Sequence, residues 1–231
     1  MELQLEGKRA LVTGSSAGIG EAIAKALAGE GVIAAVDGRR PEEVARVVAE
    51  IEVGGGASVA VVGDLTVAQD CDGVAEQVAG VLGGLDILVN NAGQLPANDL
   101  ERDRSRAVGQ TYEANVVSVV RLLKRFLPGM IEQRYGRLIQ IASGEASNPF
   151  PTMADYAASK AALVNASVSL AKALDSTGVT ANTVSPEIIV TPGVEAFFRT
   201  EAPRRGWGDR MLRKDGSAVS APGFGPMTLE R

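Results

Sequence analysis

The chain contains no histidine among its 231 residues. Histidine is the commonest general base near neutral pH and the commonest metal ligand. Its absence rules out a Ser-His-Asp triad within this chain. With only one cysteine, Cys71, the usual nitrogen and sulfur ligands of zinc are also missing, and no metal is expected. One cysteine makes no internal disulfide, so nothing points to an oxidising compartment. Cys71 reads as a small residue on or near a helix. Residues 1–8 lack the apolar stretch of a secretory signal. No apolar run approaches the roughly 20 residues that span a bilayer. The expectation is a cytoplasmic protein with no membrane partner. Basic residues are the minority, 23 against 28 acidic, for a net charge of -5. Phosphate-backbone binding needs clustered Lys and Arg, so no nucleic-acid partner is expected.

What is present is ordinary globular composition. Hydrophobic residues make up 45% and charged residues 22%, enough for a substantial core, and the length fits one sizeable domain. Short apolar, β-branched runs at 9–13, 32–36, 58–63, 85–89, 137–142 and 179–184 predict buried parallel strands. Between them, 18–29, 41–53, 67–82, 112–133 and 153–176 carry helical spacing. Pro41 suits a first helical turn, and Thr66 is the expected N-cap of the third helix. The stretch 99–106 is dense in both charge signs and reads as a solvated face. Strand-helix alternation of this kind predicts an α/β fold, a doubly wound parallel sheet with helices on both faces. From about residue 202 prolines and glycines accumulate and no period survives. The expected organisation is one domain over 1–201 and an irregular tail over 202–231.

Thr13-Gly14-Ser15-Ser16-Ala17-Gly18-Ile19-Gly20 follows the first strand and opens the first helix. Glycine permits a tight turn and close backbone approach to a pyrophosphate, and the helix N-terminus supplies donors and positive dipole. The same residues match the G-x-S-x-G nucleophile elbow. That reading needs a base beside Ser16, normally histidine, and fails for want of one.

The T-G-x-x-x-G-x-G spacing resembles the short-chain dehydrogenase/reductase family, and the resemblance continues in order. Asp64 follows the third strand. Asn90-Asn91-Ala92-Gly93 follows the fourth and matches the family's N-N-A-G. Asn115 lies in the long helix beyond it, and Ser143 ends the fifth strand. Tyr156-Ala157-Ala158-Ser159-Lys160 matches Y-x-x-x-K, thirteen positions after Ser143. Asn182-Thr183-Val184-Ser185-Pro186 resembles N-x-V-x-P-G. Roughly the first 200 residues are covered. The resemblance implies a Rossmann-like fold and an NAD(P)-dependent oxidoreductase. It implies cofactor contacts from Gly14, Ser16, Gly18, Ile19 and Gly20 in the first turn, and from Asp64 at the adenine. It adds Asn91, Ala92 and Gly93, then Tyr156 and Lys160, and last Pro186, Ile189 and Thr191 near the carboxamide. Thr191 also suits the cap of a helix after Pro192.

Hydride transfer to a ketone leaves an alkoxide in need of a proton, which a phenol can supply. Tyr156 and Lys160 stand four apart on a helix and share a face. The ammonium is expected to favour the phenolate and lower the tyrosine pKa, bringing the pair toward neutral pH. The resemblance further implies that Lys160 contacts the nicotinamide ribose and that Ser143 hydrogen-bonds the substrate oxygen. It also implies that Asn115 holds a water linking Lys160 to solvent. Asn115, Ser143, Tyr156 and Lys160 are thus the candidate catalytic residues.

The second strand runs into Asp37-Gly38-Arg39-Arg40. An acid at this strand end favours NAD, and a nearby arginine favours NADP. The family's discriminating acid aligns with Gly38. Strand alternation aims Asp37 to the other side, and Gly38 leaves room for a phosphate beside Arg39. The balance favours NADP, with NAD the alternative. A substrate wall is expected from 144–152 and 191–198, with Phe150, Met153, Phe197 and Phe198 as apolar candidates.

Two departures from the family stand out. Glu187 replaces the usual glycine after Pro186, and the segment after about Arg205 does not resemble the usual continuation into a further helix and seventh strand. The resemblance implies a homodimer through the helices at 112–133 and 153–176, and the altered end argues against a tetramer. The leading functional reading is a carbonyl or alcohol oxidoreductase, 3-oxoacyl-reductase-like or acting on a small ketone. The alternatives are a non-catalytic dinucleotide-binding sensor or scaffold with an impaired substrate site, or another reaction on the same fold, such as dehydration or epimerisation.

Overall fold

The computed structural model describes residues 3–94, 104–149, 153–187, 189, 191, 194–196 and 199–200. The expected border after residue 201, the tail, and Phe150, Phe197 and Phe198 lie outside them. The chain divides into two compact units, Met1–Glu187 and Ile188–Arg231.

In the first unit the elements alternate as expected. They are β1 (Arg9–Val12), α1 (Gly18–Gly29), β2 (Ile33–Gly38), α2 (Pro41–Val53), β3 (Ala57–Val62), α3 (Ala68–Leu82) and β4 (Ile87–Asn90). There follow α4 (Arg104–Tyr112), a π turn (Glu113–Val117), α5 (Ser118–Glu132), β5 (Gly136–Ile141), a short 3₁₀ turn (Gly144–Ala146), α6 (Ala154–Ala173) and β6 (Val179–Val184). The six strands form one sheet in the order β3-β2-β1-β4-β5-β6, and every pairing is parallel. This is the Rossmann-like, doubly wound arrangement.

Apolar strand residues alternate between two cores. On one face Leu11, Ala35, Leu88 and Leu138 pack with Val74 and Val78 of α3 and Leu122, Phe126 and Met130 of α5, with Leu170 of α6 against them. On the other, Val12, Val36 and Val89 pack with Ala24 and Ala28 of α1 and Val44, Val47 and Ile51 of α2. Cys71 of α3 is buried in the first core. Strands covered on both faces explain why their sequences read as apolar runs rather than alternating ones.

Two local expectations are corrected. Thr66 does not cap α3. The N-cap is Val67, with no side-chain cap bond, because the Thr66 hydroxyl donates instead to Asp64 Oδ1 at 2.7 Å. The helix expected at 112–133 is interrupted by the π turn, with α4 before it. The 3.6-residue period does not reveal the extra residue of such a turn.

In the second unit, the Thr191 hydroxyl accepts from Val194 N at 3.2 Å, and Thr191 O accepts from Glu195 N at 2.8 Å. This is the capping expected of Thr191. Arg199 pairs with Glu195 one turn on. No helix among the described residues is long and apolar enough to cross a membrane.

Candidate active site

The strand order reverses direction between β1 and β4, which opens a crevice at their C-terminal ends. Thr13 ties the two turns there together. Its Oγ1 accepts the N–H groups of Asn91 and Ala92, both at 2.9 Å, and donates to Val89 O at 3.3 Å. Asn91 Nδ2 in turn donates to Thr13 O at 2.9 Å and Gly14 O at 3.1 Å. Gly14 adopts φ +61°, and a Cβ on it would stand 2.9 Å from Ala92 Cα. A Cβ at Gly20 would meet Asn91 Nδ2 at 2.4 Å and Gly14 O at 2.5 Å. These two glycines are what let the turn, α1 and the Asn91-Ala92 segment close on one another.

The N-cap of α1 is Ala17, and no side chain caps it. The first N–H groups of α1 are therefore left for an external acceptor. This donor set fits the diphosphate of a dinucleotide. Ser16 and Ile19 are half-buried beside it, and Ser16 O accepts from Arg46 Nη2 at 3.1 Å.

At the end of β2 the strand alternation holds. Asp37 points inward, 2% exposed, and its Oδ2 accepts the Gly14 N–H at 2.9 Å. At Gly38 a Cβ would meet Ser16 Oγ at 2.7 Å and Val44 Cγ2 at 3.0 Å, so this position accepts no larger side chain. The adjacent turn has folded over this position. Arg39 is exposed, with Nη1 3.8 Å from Asp64 Oδ2. Burial alone would raise the Asp64 carboxyl. Hydrogen bonds from Thr66 and the nearby Arg39 outweigh it and hold the group below its ordinary value.

The candidate catalytic residues of the first unit converge. Asn115 sits in the π turn with its side chain fully buried. Its Oδ1 accepts Gln94 N at 2.8 Å, and its Nδ2 donates to Ser159 Oγ at 2.9 Å. Ser159 Oγ donates to Tyr156 O at 2.7 Å. Lys160 is 3% exposed. Its Nζ donates to Ile141 O at 2.9 Å and lies 5.7 Å from the centre of the Tyr156 ring. A Cβ on Gly93 would come within 3.2 Å of Asn115 Oδ1 and 3.3 Å of Lys160 Nζ, so this glycine lies directly against both. Ser143 caps the 3₁₀ turn, accepting Glu145 N at 3.2 Å, and its hydroxyl is near enough to the Tyr156 phenol to pull its pKa down.

Burial pushes the Lys160 ammonium down to about 8. Tyr156 corrects an expectation, for its phenol lies above its ordinary value. Burial raises it first, the Ser143 hydrogen bond lowers it, and the charge of Glu145 raises it again. The expected acidification by Lys160 does not appear, because that ammonium is directed at the Ile141 carbonyl.

Pro186 O accepts Gly144 N at 2.9 Å. Glu187 is exposed, and its carboxylate oxygens lie 2.9 Å from where a Cβ on Gly144 would stand. Met153 is buried at the start of α6. Ile189 is exposed. It belongs with Thr191 to the second unit. Reading the sequence missed Thr13 and Ser159 as site residues. Both stand inside quoted motifs, but only their hydrogen bonds reveal what they hold.

The family profile described as short chain dehydrogenase matches residues 8–202. The uncharacterized oxidoreductase YvrD of Bacillus subtilis is 36% identical over 222 residues, 96% of this chain and 84% of that protein. The 3-oxoacyl-[acyl-carrier-protein] reductase FabG of Vibrio cholerae is 37% identical over 195 residues, 84% of this chain and 79% of that one. Among solved structures, L-sorbose reductase from Gluconobacter frateurii, complexed with NADPH and L-sorbose, superposes with a TM-score of 0.83 at 30% identity. It covers 89% of this chain and 79% of its own. With the glycine turn, the parallel sheet and this likeness over most of its length, the chain belongs to the short-chain dehydrogenase family and is an NAD(P)-dependent oxidoreductase.

Proposed function

We propose that the protein interconverts a small-molecule carbonyl and its alcohol, using NADP(H) in preference to NAD(H). The observation that carries this reading is the buried Lys160 ammonium 5.7 Å from the Tyr156 ring on the same helix, with the Ser143 hydroxyl near enough to pull the phenol's pKa down. The cofactor would supply or accept the hydride. Gly14, Ser16, Gly18, Ile19 and Gly20 would hold its diphosphate, and Asn91, Ala92 and Gly93 would line the opposite wall. Asp64 would flank the adenine, and Pro186 would serve the carboxamide end.

In reduction, Ser143 donates to the carbonyl oxygen and stabilises the charge that grows there. Tyr156 gives that oxygen its proton. A phenol held above its ordinary pKa keeps the proton at neutral pH, which suits the reducing direction. Lys160 orients the ribose and, below about pH 8, places positive charge near the phenol. Asn115 fixes the helix carrying both residues and holds a water toward Lys160. Arg39 would pair with the 2′-phosphate, exchanging its weak, exposed contact with Asp64.

The NADPH complex of the sorbose reductase and the 3-oxoacyl reductase relatives support a reductive role on a ketone. The choice between an acyl and a small ketone belongs to the substrate screen. The homodimeric, cytoplasmic setting and the single dinucleotide domain over 1–201 are part of the same reading, and a monomer on size-exclusion chromatography would contradict the dimer. The test is a panel of 3-oxoacyl thioesters, ketoses and simple ketones with NADPH, following loss of reduced nicotinamide absorbance. Turnover of a ketone with matching alcohol product supports the reading, whereas dehydrated or epimerised product without net oxidation of NADPH overturns it.

A further inference from the structure

Asp37 is joined to the phosphate turn by every hydrogen bond that links β2 to it. Its Oδ2 accepts the Gly14 N–H at 2.9 Å, and its carbonyl accepts Ser15 N at 2.8 Å. Its own N–H donates to Ser15 Oγ at 2.9 Å, and that hydroxyl donates to Val12 O at 2.6 Å. The second carboxylate oxygen, Oδ1, is buried with no hydrogen-bond partner. A neutral amide would accept the Gly14 N–H equally well. A buried carboxylate with one orphan oxygen is the costlier way to hold a backbone donor.

The surroundings do not offset this charge. Asp64, at the end of β3, adds charge of the same sign. Arg39 is exposed and turned to Asp64. Arg46 of α2 is engaged by Glu21 and Glu50. From α3 the Cys71 thiol feels Asp37, but burial pushes it up to about 11 and it stays neutral. The β1 turn brings only hydroxyls and backbone.

We propose that Asp37 is a positioning residue for the cofactor, one that makes dinucleotide binding take up a proton. This rests on the reading that the Gly14–Gly20 turn receives the cofactor's diphosphate. Oδ2 keeps the Gly14 N–H in either protonation state, while the orphan Oδ1 is the atom that takes the proton from solvent. Burial first, and Asp64 in addition, push this carboxyl up to about 7, against the pull of the Gly14 hydrogen bond. An anion arriving at the turn raises it further, since like charges disfavour ionisation. Cofactor affinity therefore falls as pH rises through neutrality.

The test is calorimetric titration of the whole chain with NADPH and with NADH, in buffers of different ionisation heat. Wild type is expected to take up a fraction of a proton above neutrality, with affinity weakening on the order of fivefold between about pH 6 and 8. Asp37→Asn should bind both nucleotides and lose this uptake. The 2′-phosphate of NADPH titrates alike with both proteins, so the difference between them isolates Asp37. NADH lacks that phosphate, and Lys160, which titrates near pH 8, is common to both proteins; Asp37→Ser gives the same comparison if Asp37→Asn does not fold. Equal proton uptake by the two proteins, or none by wild type with NADH, overturns the role of Asp37 while leaving the dinucleotide site standing. Failure of both nucleotides to bind at any pH overturns the site and, with it, this role.

Discussion

Asn115 in the π turn and Ser159 on α6 are joined by a 2.9 Å hydrogen bond at a point where neither side chain is exposed. Asn115 also accepts Gln94 N from the segment after β4, and Ser159 donates to the carbonyl of Tyr156. One amide and one hydroxyl thus connect the Asn91–Gly93 wall to the helix bearing Tyr156 and Lys160. Ser159→Ala leaves the buried Asn115 amide short of a partner. Such a loss costs about 1–3 kcal/mol, and the unfolding temperature should drop accordingly. Catalytic rate should fall more than NADPH affinity, because the displaced group is the tyrosine helix and not the phosphate turn. Thermal melting and steady-state kinetics on the same preparation check both.

Thr13→Val keeps the side-chain shape but removes the acceptor for two backbone N–H groups, Asn91 and Ala92. The segment that lines the crevice opposite α1 then loses its tether. A loss of roughly 1–3 kcal/mol for orphaned donors should appear as nucleotide affinity weakened about tenfold or more. Nicotinamide fluorescence titration measures it directly. Unchanged affinity would mean the tether is not what shapes this wall.

Much of this was legible in the residues. Apolar β-branched runs and the helices at 18–29 and 41–53 emerged because strands buried on both faces, an Ala-rich helix and a Pro-led amphipathic one leave strong local patterns. The glycine turn was legible because only glycine suits φ +61° at Gly14 and the close approach at Gly20. What did not show was which of several competing partners a group takes. Thr66 looks like a helix cap until Asp64 takes its hydroxyl. Lys160 looks like an acidifier of Tyr156 until the Ile141 carbonyl claims its ammonium. In each case the sequence offers a group more than one partner, and the fold decides which one it takes.

Tyr156→Phe removes the proton donor and leaves the ring packing. Turnover should fall by about 10²–10⁴, the usual contribution of a positioned acid or base, with nucleotide affinity changed little. A variant that retains turnover would remove Tyr156 from the chemistry.

Asp37 also sets a pH dependence of stability. Its folded pKa, about 7, is raised from the ordinary carboxyl value of 3.8. A group with a raised folded pKa contributes stability in full below its unfolded pKa. That contribution is lost as pH rises through the folded value. Wild type should therefore lose on the order of 2–4 kcal/mol between about pH 4 and 8 from this group. Asp37→Asn should not, so the stability gap between the two proteins should shift in the variant's favour as pH rises. Urea unfolding across that range tests it, and parallel pH profiles would contradict it.

Arg39 is exposed and makes only a 3.8 Å contact with Asp64, so it is available to a 2′-phosphate. Arg39→Ala should weaken NADPH about tenfold, the scale of one lost charge-assisted pair, and leave NADH nearly untouched. An equal effect on both would assign the arginine to the fold rather than to cofactor choice.

The central claim is that the crevice between β1 and β4 is a nicotinamide dinucleotide site. Its most direct test is titration of the folded protein with NADPH and NADH, followed by nicotinamide fluorescence. The account predicts saturable binding of both, tighter for NADPH. A protein that is folded by circular dichroism yet shows no saturation with either nucleotide would contradict it.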